Sequence, residues 1–246
     1  MKKTIVALLG CILCHPAVAQ DVPRFDGALA YSARHTIDRR DNDIFRLTAG
    51  YSWSAMSGRI RTAVELGVDN EDFSGSYPAN TGLEVDFARR VGDNRFALGA
   101  RLRHDDQQST TAELAYGIQH FGTALDWRGV VGFQGVADHG EVDGRDGASA
   151  FGIATATIWL DGEWAVDAGL EGDSDGLLYT IGTEYRPQGS AISLFALWGH
   201  AVDEYRGKPQ YNDLTAGIRV VPARMSLRSF RRGSLSQIFS RAVEVQ

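Results

Sequence analysis

The chain has 246 residues, 43% of them hydrophobic and 23% charged, with a formal net charge of −6 and 28 glycines against 6 prolines. It is too apolar and too aromatic for a disordered chain. After residue 20 no run of about 18 apolar residues exists to cross a membrane as a helix. Lysine occurs only at Lys2, Lys3 and Lys208, and the acidic balance, with no basic stretch before the last 24 residues, argues against nucleic acid as a partner.

Residues 1–19 read as a secretory signal. Lys2 and Lys3 form a short positive region, Thr4 to Cys14 an apolar core, and Ala17-Val18-Ala19 a small-x-small cleavage site, so Gln20 is expected to begin the mature chain. Leu8-Leu9-Gly10-Cys11 resembles a lipobox and is the rival reading. Both cysteines, Cys11 and Cys14, lie in this segment. Cleavage after Ala19 removes them, and with them disulfide scaffolds, thiol catalysis and cysteine–zinc sites.

From residue 25 onward the pattern has period two. Residues 25–34 are small and weakly patterned. Phe45, Leu47, Ala49, Tyr51 and Trp53 then alternate with Arg46, Thr48, Gly50 and Ser52. Ile60 to Val68, Leu83 to Phe87, Phe96 to Leu102, Leu114 to Ile118 and Leu125 to Phe133 continue the alternation. Residues 149–160 and 191–200 are apolar on both parities. Trp164 to Leu170, Leu177 to Tyr185 and Leu214 to Val220 complete about twelve strands over residues 25–222.

These strands, read as 9 to 12 residues long, match a tilted strand crossing a bilayer. Apolar and aromatic side chains occupy one face; Arg, Glu, Asp, Gln and small residues occupy the other. A secreted sandwich or solenoid also alternates, but a surface almost without lysine fits it poorly. The expected fold is therefore all-β, a transmembrane antiparallel up-and-down barrel of about twelve strands over residues 20–222. Closure pairs every backbone group, as hydrocarbon requires.

Connections alternate in length. Ala55–Gly58, Gly92–Asn94, Phe121–Gly122, Asp161–Glu163 and Pro187–Gly189 are short. Thr36–Asn42, Asp69–Thr81, Asp105–Gln108, Val136–Gly147 and Ala201–Asn212 are longer, and Gly172–Gly176 breaks the rule. Short turns are expected in the periplasm and long loops outside. Phe25, Trp53, Phe96, Trp159, Trp164 and Tyr185 fall beside the short turns and read as an interfacial girdle.

With signal, alternation, turns and girdle assembled, the chain resembles a Gram-negative outer-membrane β-barrel protein of the small porin-like kind, over residues 1 to about 222. The resemblance implies outer-membrane lipid, lipopolysaccharide and the barrel-assembly machinery as partners. It also implies passive diffusion of small polar solutes. Such proteins usually end on an aromatic residue that closes the last strand, whereas this chain ends Val245-Gln246. Its tail, 223–246, carries Arg224, Arg228, Arg231, Arg232 and Arg241 against Glu244. The tail reads either as a periplasmic extension or as an additional strand.

The polar phase assigns Arg46, Arg59, Arg61, Arg101, Arg103, Arg128, Arg186 and Arg219 to the interior, together with Glu65, Glu84, Asp86, Glu113, Asp126, Asp167, Glu171 and Glu184. Rows of arginine and acid would make a transverse field in a pore; they would equally pair and fill a narrow barrel. Arg61, Arg101 and Arg103 are expected to form a strip facing Glu84 and Asp86. His35, His104, His139 and His200 fall near the outer rim beside Asp105, Asp106, Asp138, Asp203 and Glu204, with Ser109 as the nearest hydroxyl. They supply the alternative of a rim hydrolase, a His–acid pair acting as general base; a non-conducting structural or adhesion barrel is the other. No nucleophile motif is present, and no catalytic residue is assigned. Asp173-Ser174-Asp175-Gly176 lacks the spacing and distant Glu of a calcium loop. No metal or cofactor is expected.

Overall fold

A strand shows alternate side chains to opposite faces, so one sequence can satisfy lipid outside and water inside. In a computed structural model that describes residues 24–36, 39–55, 58–69, 79–104, 109–138, 147–174, 176–203, 210–222 and 224–234, these residues form twelve antiparallel strands. They are β1 (Arg24–Thr36), β2 (Arg39–Ala55), β3 (Gly58–Asp69), β4 (Ala79–Val91), β5 (Asn94–His104) and β6 (Ser109–Phe121), followed by β7 (Leu125–Asp138), β8 (Gly147–Trp159), β9 (Trp164–Gly172), β10 (Gly176–Tyr185), β11 (Ile192–Asp203) and β12 (Tyr211–Val220). Each strand pairs with its sequence neighbours, and β12 returns to β1 through Gly27↔Val220 to Thr36↔Tyr211, closing the barrel. No sheet edge is left open to the hydrocarbon.

Burial follows the alternation. Val64, Leu66, Leu83, Leu98, Leu114, Leu194 and Leu214 point outward and are exposed, as are Val131 (63%) and Phe133 (68%). Inward neighbours such as Arg61, Asp86, Glu113, Glu184 and Asp213 are buried. An apolar outside around a charged inside reverses the arrangement of a water-soluble fold. In β1 the inward residues are Asp26, Ala28, Ala30 and Ser32, whose small size hides the alternation in the sequence.

The model departs from the sequence reading at three places. The strands run from 9 to 17 residues, and β1 and β2 pair as far as Thr36↔Arg39, so most of the loop expected at Thr36–Asn42 is strand. Trp159 belongs to the interior, not to the outward girdle; it is 7% exposed. In β8 both parities carry apolar residues, and the inward set includes Phe151, Ile153 and Trp159 beside Thr155 and Thr157, so the sequence does not determine the phase. Residues 227–233 form a helix, α1 (Leu227–Gly233), so this part of the tail does not add a strand. The segment 1–23, the loop residues 70–78 and 139–146, and the tail from 235 lie outside the described residues.

Candidate functional site: the charged lumen

Inside β1–β6 the charges pair from strand to strand. Gly50 of β2 lies between Asp26 of β1 and Ala63 of β3 in register. Without a side chain there, Asp26 reaches over β2 to Arg61, whose Nε and Nη2 donate to its carboxylate at 3.0 and 2.8 Å. A Cβ at position 50 would stand 2.5 Å from Asp26 Oδ1 and 2.7 Å from Arg61 Nε. Arg61 Nη1 also donates to Glu84 and, at 3.3 Å, to Asp86. Arg101 bonds Glu84 at 2.6 Å and lies 3.6 Å from Glu113. Arg46 and Arg103 share Glu65 at 2.9 and 3.2 Å. The expected strip is thus divided: Arg61 and Arg101 take Glu84, whereas Arg103 takes Glu65.

Across the lumen, β7–β12 leave carboxylate capacity for another partner. Asp126 accepts from Trp159 Nε1 at 2.9 Å, Asp167 from Thr157 Oγ1 at 2.6 Å, and Glu184 from Ser193 Oγ at 2.5 Å. Arg219 pairs with Glu184, and Arg128 Nε donates to Thr155 Oγ1 at 3.1 Å. The same three carboxylates also meet the tail. Arg231 donates twice to Asp167, at 2.8 and 3.0 Å, and stands 3.7 Å from Glu184. Arg232 Nε donates to Asp126 at 2.9 Å. Burial alone would weaken the charge of Arg231, but the carboxylates of Asp167 and Glu184 outweigh it and hold its pKa above the ordinary guanidinium value.

Helix α1 forms locally because Ser226 caps it, its Oγ accepting from Ser229 N at 3.1 Å. Leu227 and Phe230 recur three residues apart and bury one face against Trp159, Ala165 and Val221. Glu163 accepts from Leu227 N at 3.0 Å, and Gly162 O from Arg228 N at 3.0 Å. Arg228 reaches the carbonyls of Gly122 and Thr123 in the β6–β7 turn. At the helix C-terminus, Arg59 donates to Gly233 O at 2.8 Å and Arg95 to Ser234 O at 3.0 Å. Arg186, just past β10, donates to Ser190 O at 2.7 Å and to Met225 O. The helix is therefore tied to points spread around the short-turn mouth.

A cavity of about 240 Å³ remains between α1 and the two charged walls, lined among others by Arg46, Arg61, Arg101, Arg128, Arg219, Arg231, Glu65 and Glu184. That is well above the roughly 10–15 Å³ needed to seat one water. The sequence reading omitted Asp26, Arg95, Asp213 and the tail arginines from the interior. Arg95 and Asp213 stand in phase with residues assigned there, Arg95 with Arg101 and Asp213 with Arg219, whereas the small residues of β1 give Asp26 no phase in the sequence. Nothing in the sequence pairs Arg231 or Arg232 with a particular strand.

The rim histidines do not form a site among the described residues. His104 and His200 lie on the outward parity of β5 and β11. His104 Nδ1 is 3.1 Å from Thr110 Oγ1, and His200 Nδ1 is 3.0 Å from Asn212 Oδ1, with its ring stacked on Trp198. His139 lies outside the described residues, as do Asp105, Asp106 and Glu204; the side chains of His35, Ser109, Asp138 and Asp203 are likewise not described. Asp173 and Gly176 bond each other across a turn, Gly176 N reaching Asp173 Oδ1 at 3.1 Å.

No protein-family model matches the sequence, and neither does any curated protein. Solved structures do match in fold. An outer-membrane channel from Pseudomonas putida F1 superposes with a TM-score of 0.62 at 9% identity, over 84% of this chain and 99% of that one. The chain has the closed β-barrel fold of the outer-membrane porins. The NanC porin superposes with a TM-score of 0.59 at 11% identity, over 81% of this chain and 100% of that one. The KdgM porin gives 0.57 at 10% identity, over 79% and 99%. At these identities the barrel architecture is what is shared.

Proposed function

We infer that this outer-membrane barrel is a channel for passive diffusion of small polar solutes. The observation that carries the reading is the charged cavity of about 240 Å³ inside a closed barrel with an apolar outer wall. Twelve strands lie between the ~8 that side chains fill and the ~16 that leave an aqueous channel. Arginine and carboxylate groups facing each other favour polar passengers and reject apolar ones, because only the former replace hydration. Lipid, lipopolysaccharide and the assembly machinery are the partners this reading entails.

Planar-bilayer recording of the folded protein tests it. Arg101→Glu removes a cation that holds Glu84 and Glu113 and adds an acid to the wall. The reversal potential under a salt gradient should then move toward cation selectivity. Folded protein that never conducts, at any potential, as wild type or as any lumen variant, removes the channel reading.

A further inference from the structure

We propose that helix α1 is a built-in gate: it blocks the short-turn mouth in the resting state and leaves it when the channel opens. The inference rests on the channel reading above and adds how that channel is controlled.

The fit is electrostatic from end to end. Arg231 and Arg232 point to Asp167, Glu184 and Asp126 on β9, β10 and β7. The C-terminal carbonyls of the helix, Gly233 O and Ser234 O, point the other way and accept from Arg59 and Arg95 on β3 and β5. Cationic side chains are thus held by the acidic wall, and the negative end of the helix by basic residues. Only Leu227 and Phe230 bury an apolar surface, against Trp159, Ala165 and Val221. A seven-residue helix with so small an apolar contact does not outweigh its ordering cost by hydrophobic burial alone. Its hold depends on arginine ion pairs and charged hydrogen bonds beside a polar cavity large enough for water, and permeating ions screen and compete for the ion pairs.

The helix also carries three positive charges, Arg228, Arg231 and Arg232, and no acid. One charge moved fully across the membrane field changes an equilibrium by about 50-fold per 100 mV. The helix moves through part of that field. A positive potential on the long-loop side drives it out of the mouth, and a negative one seats it. Opening should therefore be asymmetric in voltage, by roughly tenfold between +100 and −100 mV.

A disulfide staple separates a gate from a fixed plug. A Cβ built at Gly162 lies 3.8 Å from Ser226 Cβ, the spacing of a disulfide. The full-length protein with Gly162→Cys and Ser226→Cys, purified from the outer membrane, would tie the helix start to the β8–β9 turn. In planar bilayers of defined lipid the oxidised protein should stay in its low-conductance level. Reduction should restore openings by about tenfold in open time and bring back the voltage asymmetry. Independently, Arg231→Gln with Arg232→Gln should lengthen open time by about tenfold and flatten that asymmetry. A heat-dependent mobility shift on gels verifies that each variant is folded. Equal open times in the oxidised and reduced staple, or in the wild type and the double variant, overturn the gate while leaving the channel intact. Folded proteins that stay silent in every form, the reduced staple and the double variant included, overturn the channel reading and the gate with it.

Discussion

The two halves of the lumen solve the same problem differently. In β1–β6, Asp26, Glu65, Glu84, Asp86 and Glu113 find arginines one or two strands away, and Gly50 is kept bare so that Asp26 and Arg61 can meet across β2. In β7–β12, the inward Arg128, Arg186 and Arg219 face a larger set of acids: Asp126, Asp167, Glu171, Glu184 and Asp213. There the excess carboxylate is met by Arg231 and Arg232 of the tail. The acids of the first wall are matched by its own arginines, and only Arg59 and Arg95 reach the helix, through its last carbonyls; the acids of the second wall are matched in part by a removable element. A barrel can therefore keep its cylinder rigid while assigning motion to one side of the lumen.

The sharpest way to break this contrast is to attack the first wall. Arg61 is 1% exposed and faces Asp26, Glu84 and Asp86 together. Replacing it with Met leaves buried acids without their shared cation and should cost about 3–5 kcal/mol in urea unfolding of the folded barrel. Gly50→Ala should cost ~1–3 kcal/mol by pressing a methyl group into the Asp26–Arg61 pair. A loss well below 1 kcal/mol for Arg61→Met would show that water, not arginine, satisfies this wall.

The outer surface gives the next effect. Val131→Arg and Leu98→Arg put a charge into the lipid belt and should each cost ~2–4 kcal/mol near mid-bilayer. The adjacent inward position Gly132 is not a neutral control, because the ring of Phe151 lies over it and would stand 2.5 Å from an added Cβ. Equal tolerance of arginine on both faces would contradict the lipid-facing assignment.

These contrasts also explain what the sequence could disclose. A strand between two solvents must alternate, so the barrel, its strand number and the inward position of Arg61 or Glu184 follow from period two. Where the interior is itself packed, that signal fades. Phe151 fills the space above Gly132, and Phe195 stands beside Arg219 with the guanidinium 5.1 Å from its ring centre, so β8 and β11 carry apolar residues on both sides. Trp159 was misplaced for that reason: its ring serves the helix, under Arg231 at 5.5 Å, and not the membrane interface. The role of the tail depends on contacts between residues some 64 to 106 positions apart, as in Arg231–Asp167 and Arg232–Asp126, and no local pattern encodes them.

On the second wall the effects should be smaller and should fall on the tail. Arg231→Gln leaves Asp167 bonded to Thr157 and Glu184 bonded to Ser193 and Arg219. Arg231 and Asp167 keep some solvent contact, with 12% and 21% of their side chains exposed. The loss should be about 1–2 kcal/mol, limited to hydrogen bonds with a charged group beside water. Amide exchange should accelerate in residues 227–233 and stay unchanged in β9 and β10, whereas Arg61→Met should accelerate exchange throughout β1–β4. Uniform acceleration in both variants would mean that the two walls unfold as one unit and that the tail is part of the cylinder.

The finest test acts on the helix without touching either wall. Ser226 Oγ satisfies one of the amides that the first turn leaves open, accepting from Ser229 N. Ser226→Ala should therefore weaken only the local helix, by ~1 kcal/mol. The ion pairs of Arg231 and Arg232 remain available, so barrel unfolding in urea should be unchanged. Limited trypsin digestion should, however, cut after Arg228, Arg231 or Arg232 about five times faster, since cleavage needs the helix to leave its seat and melt. If Ser226→Ala and wild type are cut at the same rate, cleavage is proceeding on the seated helix or not at all. The second wall would then be as permanently closed as the first, and the contrast between them would be one of sequence origin rather than of mobility.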